Sequence, residues 1–174
     1  MHTFEVQLAD MDRGVYEQFT VRAARHPSET EAYLVTRVLA YCLEYVEGIA
    51  FSEGISATDE PALLVRDLSG KLLAWIEIGA PDAARLHTGS KAAERTVVYT
   101  HRDPAKVAAP WAGAKIHRAG EIALHSFDPG FVDAAVDVLE RRNAMTLTVT
   151  ERQLYLELNG AHLSSAIHSR PVAE

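Results

Sequence analysis

Apolar residues recur along the chain with two periods, and the changes between them mark the elements. Phe4, Val6 and Leu8 alternate with Glu5 and Gln7. After Asp10-Met11-Asp12-Arg13-Gly14, which is turn chemistry, the alternation resumes at Phe19, Val21 and Ala23. This spacing predicts a long N-terminal hairpin. Between His26 and Gly48 the period becomes helical, with Val35, Val38, Leu39, Cys42 and Val46 expected to face a core. Ser28 and Glu31 have capping-box spacing, Pro27 precedes the cap, and Gly48 follows the last apolar position. Residues 62–67 and 71–78 flank Leu68-Ser69-Gly70 and predict a second hairpin. In its second arm Leu72, Ala74, Ile76 and Ile78 share one face and Leu73, Trp75 and Glu77 the other. A strand apolar on both faces reads as interior to a sheet covered on both sides.

Further along, residues 81–95 predict a helix opened by Pro81, weakened by Gly89 at about 1 kcal/mol against alanine. Residues 96–101 and 121–127 predict strands. Asp103-Pro104 and Asp128-Pro129 each place a cap residue before a good first helical residue, so both are expected to open helices. Residues 145–158 predict a C-terminal hairpin turning at Glu151-Arg152-Gln153, and the tail from Ser164 is expected to be loose. The order is hairpin, helix, hairpin, helix, strand, helix, strand, helix, hairpin. That is a mixed α/β fold with a central βαβ unit, whose crossover joins parallel strands. Ligands of such sheets sit outside the carboxyl ends of the strands, where Glu77 lies.

Composition narrows the partners. The 174 residues, 48% hydrophobic, suit one domain over residues 1–174. The formal charge of −7 means that a polyanion would need a local basic patch or a bridging metal. One cysteine excludes an internal disulfide and a thiolate zinc site, and none of the 8 histidines falls in a metal-binding helical pattern. The N-terminus lacks the basic start and apolar run of a signal peptide, and no apolar run is long enough to span a bilayer. A cytoplasmic protein with no membrane partner is the expectation.

The candidate chemistry is acidic. Asp59 and Glu60 enter one arm of the second hairpin and Glu77 ends the other, so the turn draws them together. Convergent carboxylates repel unless protonated or bridged by a cation. Mg²⁺ is the natural bridge, with Mn²⁺ as its substitute, and it can activate water and neutralise phosphoryl charge. The competing account is that these are ordinary solvated acids at a hairpin mouth.

The segments ARHPSETEAYLVTRVLAY, DEPALLVRD, WIEIGAPDAARL and VVYTH, in this order and spacing, resemble the YaeQ family. The resemblance runs from the first hairpin to the last. It implies a variant PD-(D/E)XK fold, a restriction-endonuclease-like core with added N- and C-terminal hairpins, and places Asp59, Glu60 and Glu77 where nuclease acids stand. Two departures bear on activity. The nuclease lysine two residues after the second acid is here Gly79, which leaves Lys91 on the following helix as its replacement, yet Lys91 lies about 140° round that helix from Leu86. A basic residue near Thr88, expected of the family, is also missing, so Arg85 and Lys91 are the nearby cations.

Arg25 and His26 stand beside a helix N-terminus, where they could position a phosphate. Strand parity puts Arg25 on the face of Phe19, Val21 and Ala23, expected to be buried; the alternative is that it pairs with Glu29 or another acid. Glu29 is either a further metal ligand or a first-turn acid serving the dipole. Arg37 reads as a snorkelling surface arginine and Trp75 as core more readily than as a base-stacking platform. Three functions remain open: a divalent-metal-dependent phosphodiesterase acting on nucleic acid; a nuclease-like fold that no longer cuts and binds nucleic acid or protein; and a small-molecule enzyme using the acids for proton transfer.

Overall fold

A computed structural model describes residues 1–52 and 60–173. In chain order the strands are β1 (His2–Asp10), β2 (Val15–Ala23), β3 (Ile49–Phe51), β4 (Leu63–Arg66), β5 (Leu72–Ile78), β6 (Arg95–Tyr99), β7 (Ala123–Phe127), β8 (Arg142–Thr150), β9 (Gln153–Leu158) and β10 (Ala161–Pro171). The α-helices are α1 (Glu31–Leu43), α2 (Ala83–Ala92), α3 (Pro104–Ala108) and α4 (Phe131–Asp137). The fold is mixed α/β, as the periodicity predicts. The chain forms two compact units, each discontinuous in sequence: Met1–Val38 with Phe127–His168, and Leu39–Ser126 with Ser169–Glu174.

In the first unit the strands run in the order β2-β1-β8-β9-β10. β1 pairs antiparallel with β2 and parallel with β8, and the β8, β9 and β10 pairs are antiparallel. Alternation decides the two faces. Phe4, Val6, Leu8, Met145, Leu147, Val149, Leu154, Leu156 and Leu158 are buried, while Glu5, Gln7, Ala144, Thr146, Tyr155 and Glu157 are exposed on the other face. The β8–β9 turn places Glu151 and Arg152 at positive φ, and the Asp12 carboxylate accepts both their amide N–H groups at 2.7 and 3.0 Å.

Several expectations are corrected here. The C-terminal segment is not loose: Asn159-Gly160, both at positive φ, turn the chain into β10, an 11-residue strand paired with β9. Asn-Gly is the favoured two-residue hairpin turn, because both positions need φ > 0. The first helix is capped by Thr30, whose hydroxyl accepts from the Tyr33 amide, and not by Ser28, which bonds His26. It stops at Leu43, leaving Val46 exposed, and is buried all round from Leu34 to Ala40 and not along one stripe. Gly130 and not Asp128 precedes α4 as its cap residue, because the Asp128 carboxylate is taken by the Ala166 amide and His168.

The second unit carries the order β7-β6-β5-β4-β3. β5, β6 and β7 are parallel to one another, β4 pairs antiparallel with β5, and β3, which the apolar pattern did not signal, pairs antiparallel with β4. The connection β5–α2–β6 is the expected crossover between parallel strands. From Ala74 to Ile78 β5 is buried on both faces, as its pattern predicts. Leu86, Val98, Val107, Trp111, Ile122, Leu124 and Val172 form an apolar cluster, anchored where the Trp111 indole N–H donates to the Pro81 carbonyl at 2.9 Å. Gly89 has a packing reason. A Cβ there would lie 2.6 Å from the Trp75 indole, so only glycine lets α2 rest on that ring.

Candidate functional site

Glu77 is the penultimate residue of β5, inside its buried run, and its side chain is 4% exposed. A carboxylate so far from water must be paired. α2 supplies the partner. Asp82 caps the helix by accepting the Arg85 amide at 2.8 Å, which orients the first turn toward the strand end. Arg85 Nε donates to Glu77 Oε2 at 2.6 Å and Arg85 Nη2 to Oε1 at 3.1 Å, a two-pronged contact on both oxygens. The same Nη2 donates to the Glu60 carbonyl oxygen at 2.6 Å. Leu63 is opposite Ile76, so the hairpin register brings the segment at Glu60 to the end of β5. Arg85 thus joins the Glu77 carboxylate to the Glu60 main chain at the hairpin mouth, through the Glu60 carbonyl and not its carboxylate. Asp59 lies outside the described residues.

The cation at Glu77 is Arg85. Lys91 stands exposed in the last turn of α2. Gly79 has φ of +88° and donates its amide to the Tyr99 carbonyl at 2.8 Å. A lysine at that position would be strained. Among the described residues no group of three or more His, Cys, Asp or Glu side chains could hold a metal. With the guanidinium against both oxygens, Glu77 as arranged is not open to Mg²⁺.

The residues singled out near α1 lie in the first unit. Arg25 is exposed, not buried as parity predicts, because β2 ends at Ala23 and the alternation ends with it. Its Nη1 donates to the Glu29 carbonyl at 2.9 Å. His26 is exposed, and its Nδ1 accepts the Ser28 amide and meets the Ser28 hydroxyl. Glu29 is buried, with neither carboxylate oxygen hydrogen-bonded; Arg37 Nη2 stands 3.6 Å away. Arg37 is itself 6% exposed and donates to the Ala24 carbonyl at 2.7 Å, so the surface reading of Arg37 is corrected. Its helix is buried all round, and it has no solvent to reach. Trp75 is 2% exposed and offers no face to a base.

One constellation escaped the sequence reading. Glu44, just past α1, is buried and accepts from the Tyr99 hydroxyl at 2.5 Å and from Arg95. Tyr99 tilts against His125 with ring centroids 4.8 Å apart, and His125 Nδ1 meets the Ser169 hydroxyl at 2.6 Å. Parity on β6 puts Arg95, Val97 and Tyr99 on one face, a signal that was present, but nothing local ties that face to Glu44. Around α2, Arg118 Nη2 donates to the Ser90 and Ala93 carbonyls at 2.7 and 3.0 Å and closes the helix C-terminus. His87 Nδ1 accepts the His117 amide at 3.0 Å, a structural contact.

Comparison with known proteins agrees on one lineage. The sequence matches the family described as YaeQ protein over residues 1–167. The crystal structure of the YaeQ protein from Xanthomonas axonopodis pv. citri superposes with a TM-score of 0.87 at 26% identity, covering 98% of this chain and 97% of that one. The YaeQ protein from Pseudomonas syringae gives 0.86 at 30% identity, covering 97% and 93%. The Escherichia coli (strain K12) YaeQ, described as uncharacterized, is 33% identical over 100 residues, 58% of this chain and 55% of its own length. No helix among the described residues is long and apolar enough to cross a membrane. The chain belongs to the YaeQ family.

Proposed function

We propose that this chain is a nuclease-like fold that binds nucleic acid without cutting it, with Arg85 filling the position a catalytic cation would need. The observation that carries this reading is the Arg85 fork on both oxygens of Glu77. The order helix, hairpin, helix, parallel strand, with acids at the hairpin mouth, supports a PD-(D/E)XK-like core. Gly79 in place of the lysine supports loss of hydrolysis. The test is binding and cleavage of labelled DNA and RNA oligonucleotides, in EDTA and then in Mg²⁺ or Mn²⁺. Saturable binding in EDTA with intact oligonucleotide in both metals is expected. Cleavage that requires Mg²⁺ or Mn²⁺ and disappears in Glu77→Gln overturns this reading, and a folded protein with no affinity for either oligonucleotide points instead to a protein partner.

A second reading is metal-dependent phosphodiester hydrolysis with Asp59, Glu60 and Glu77 as the acids. The buried Glu77 carboxylate at the carboxyl end of β5, with the Glu60 main chain held beside it through Arg85, favours it. It requires Arg85 to release Glu77. Calorimetric titration of Mn²⁺ into the wild-type protein separates the two: binding that is lost in Glu77→Gln supports the second reading, and no binding to wild type supports the first.

A further inference from the structure

One end of the first unit's sheet is basic, in a chain with a formal charge of −7. The register makes it so. Thr3 on β1 has Arg22 of β2 as its partner on one side and Arg142 of β8 on the other. The three residues therefore form a row across adjacent strands on the outward face, the two arginines about 10 Å apart at two strand spacings. Arg22 and Arg142 are exposed and Thr3 is half-buried. Among the described residues no carboxylate pairs with Arg22, Arg141 or Arg142. Arg25 adds a fourth guanidinium just past β2, engaged with a carbonyl and not with an acid.

We infer that the row Arg22–Thr3–Arg142 is a phosphate clamp for a nucleic-acid strand, seating one backbone phosphate over the Thr3 hydroxyl between two guanidinium groups. This rests on the nucleic-acid-binding reading above and assigns it a contact surface outside the Glu77 site. Arginine suits the task, since its planar fork matches phosphate oxygens. The surroundings of His2 carry the same sign. Burial holds its imidazole below the usual pKa, and the positive charges of its neighbours, Arg141 and Arg25 among them, push the same way; only Glu31 opposes.

The geometry also limits the site to one phosphate. The next outward row is Thr20–Glu5–Ala144, in which the Thr20 hydroxyl donates to Glu5 at 2.8 Å. An acid there repels a second phosphate. Beyond it lies a cavity of about 180 Å³ lined by Glu5, Gln7, Gln18, Thr146 and Glu157 among others. With Glu5 and Glu157 in its wall that cavity repels phosphate too, so the strand leaves the basic row away from it.

The experiment is fluorescence anisotropy of a labelled single-stranded oligonucleotide with full-length protein in EDTA, across a salt series. The proteins are wild type, Arg22→Gln/Arg142→Gln, and Arg102→Gln as an exposed control. Both clamp positions are exposed, so circular dichroism is expected to find the double variant folded. Its affinity should fall on the order of tenfold at 0.1 M salt, and the slope of log K against log salt should become shallower by about 0.7, the value for one lost phosphate contact on a single strand. The control should match wild type. A double variant with wild-type affinity and slope overturns the clamp while leaving nucleic-acid binding intact. Wild type without saturable binding overturns both. A poly-glutamate chain of equal charge competing as well as the oligonucleotide overturns the assignment to phosphate.

Discussion

At the scale of single residues, two contacts in the second unit decide more than their neighbours. Gly89 breaks a helical rule and is needed for packing. Helix propensity favours alanine there by about 1 kcal/mol. The indole of Trp75, 2.6 Å from any added Cβ, opposes it. Overpacking typically costs 1–3 kcal/mol, so Gly89→Ala is expected to lower stability by roughly 1 kcal/mol net, read as a lower urea midpoint with unchanged m. A raised midpoint would mean that α2 does not rest on Trp75. The second contact is Arg85 on Glu77. Removing one partner of a buried pair leaves the other charged in a dry site, and this typically costs 3–5 kcal/mol. Arg85 is 25% exposed, so Arg85→Ala is expected near the low end, about 3 kcal/mol. Adding Glu77→Gln should recover part of that loss, and a double-mutant cycle measures how much. Strictly additive losses would mean that the fork carries no coupling.

Elements show where turns and caps, more than strands, determine the outcome. The Asn159-Gly160 turn makes β10 possible, and Asn159 does more than adopt positive φ. Its side chain accepts the Ala144 amide at 2.9 Å and donates to the Val138 carbonyl and Asn143 Oδ1, both at 2.8 Å. Asn159→Ala removes all three hydrogen bonds, although Asn143 Oδ1 still accepts the Glu140 amide, and a loss of about 2 kcal/mol is expected, measured by denaturant unfolding. Asn159→Gly should fall between the two, because it keeps the backbone freedom and loses only the hydrogen bonds. At the start of β1, His2 links the strand end to pH. Its folded pKa lies below the unfolded value near 6.5, so the neutral ring stabilises the fold above that value and the contribution is lost as pH falls toward the folded pKa. Wild type should therefore lose more stability than His2→Gln between pH 7 and pH 5. Parallel pH profiles would remove His2 from the account. Legibility followed the same division. The strands from β1 to β9 other than β3, and the helices, were readable from apolar period and cap signals. The edges were not: the Thr30 cap, the end of α1 at Leu43 and the start of α4 at Phe131 depend on hydrogen-bond partners that the apolar period does not record.

For the whole molecule, the order of the chain matters because each compact unit is assembled from two separated segments. Residues 169–173 belong with the second unit: Val172 is buried in the Leu86–Trp111 cluster, and its amide donates to the Ile122 carbonyl at 2.8 Å. Truncation after His168 should destabilise that cluster by about 2–3 kcal/mol, one buried side chain plus a backbone hydrogen bond, with Trp111 fluorescence as the probe. An unshifted transition would mean that the terminal segment contributes nothing. Charge tells a similar story at this scale. A net charge of −7 argues against polyanion binding on average, while strand register gathers Arg22 and Arg142 on either side of Thr3 and makes one end of a sheet an exception. The sequence alone determined the α/β class, the two-sided burial of β5 and the hairpin of β4 and β5 that ends beside Glu77, because period and hairpin geometry are local properties. Tertiary structure decided that the partner of Glu77 is Arg85 and not Lys91, that Arg37 is buried, and that the arginines align, because these depend on which distant surfaces pack and in what register.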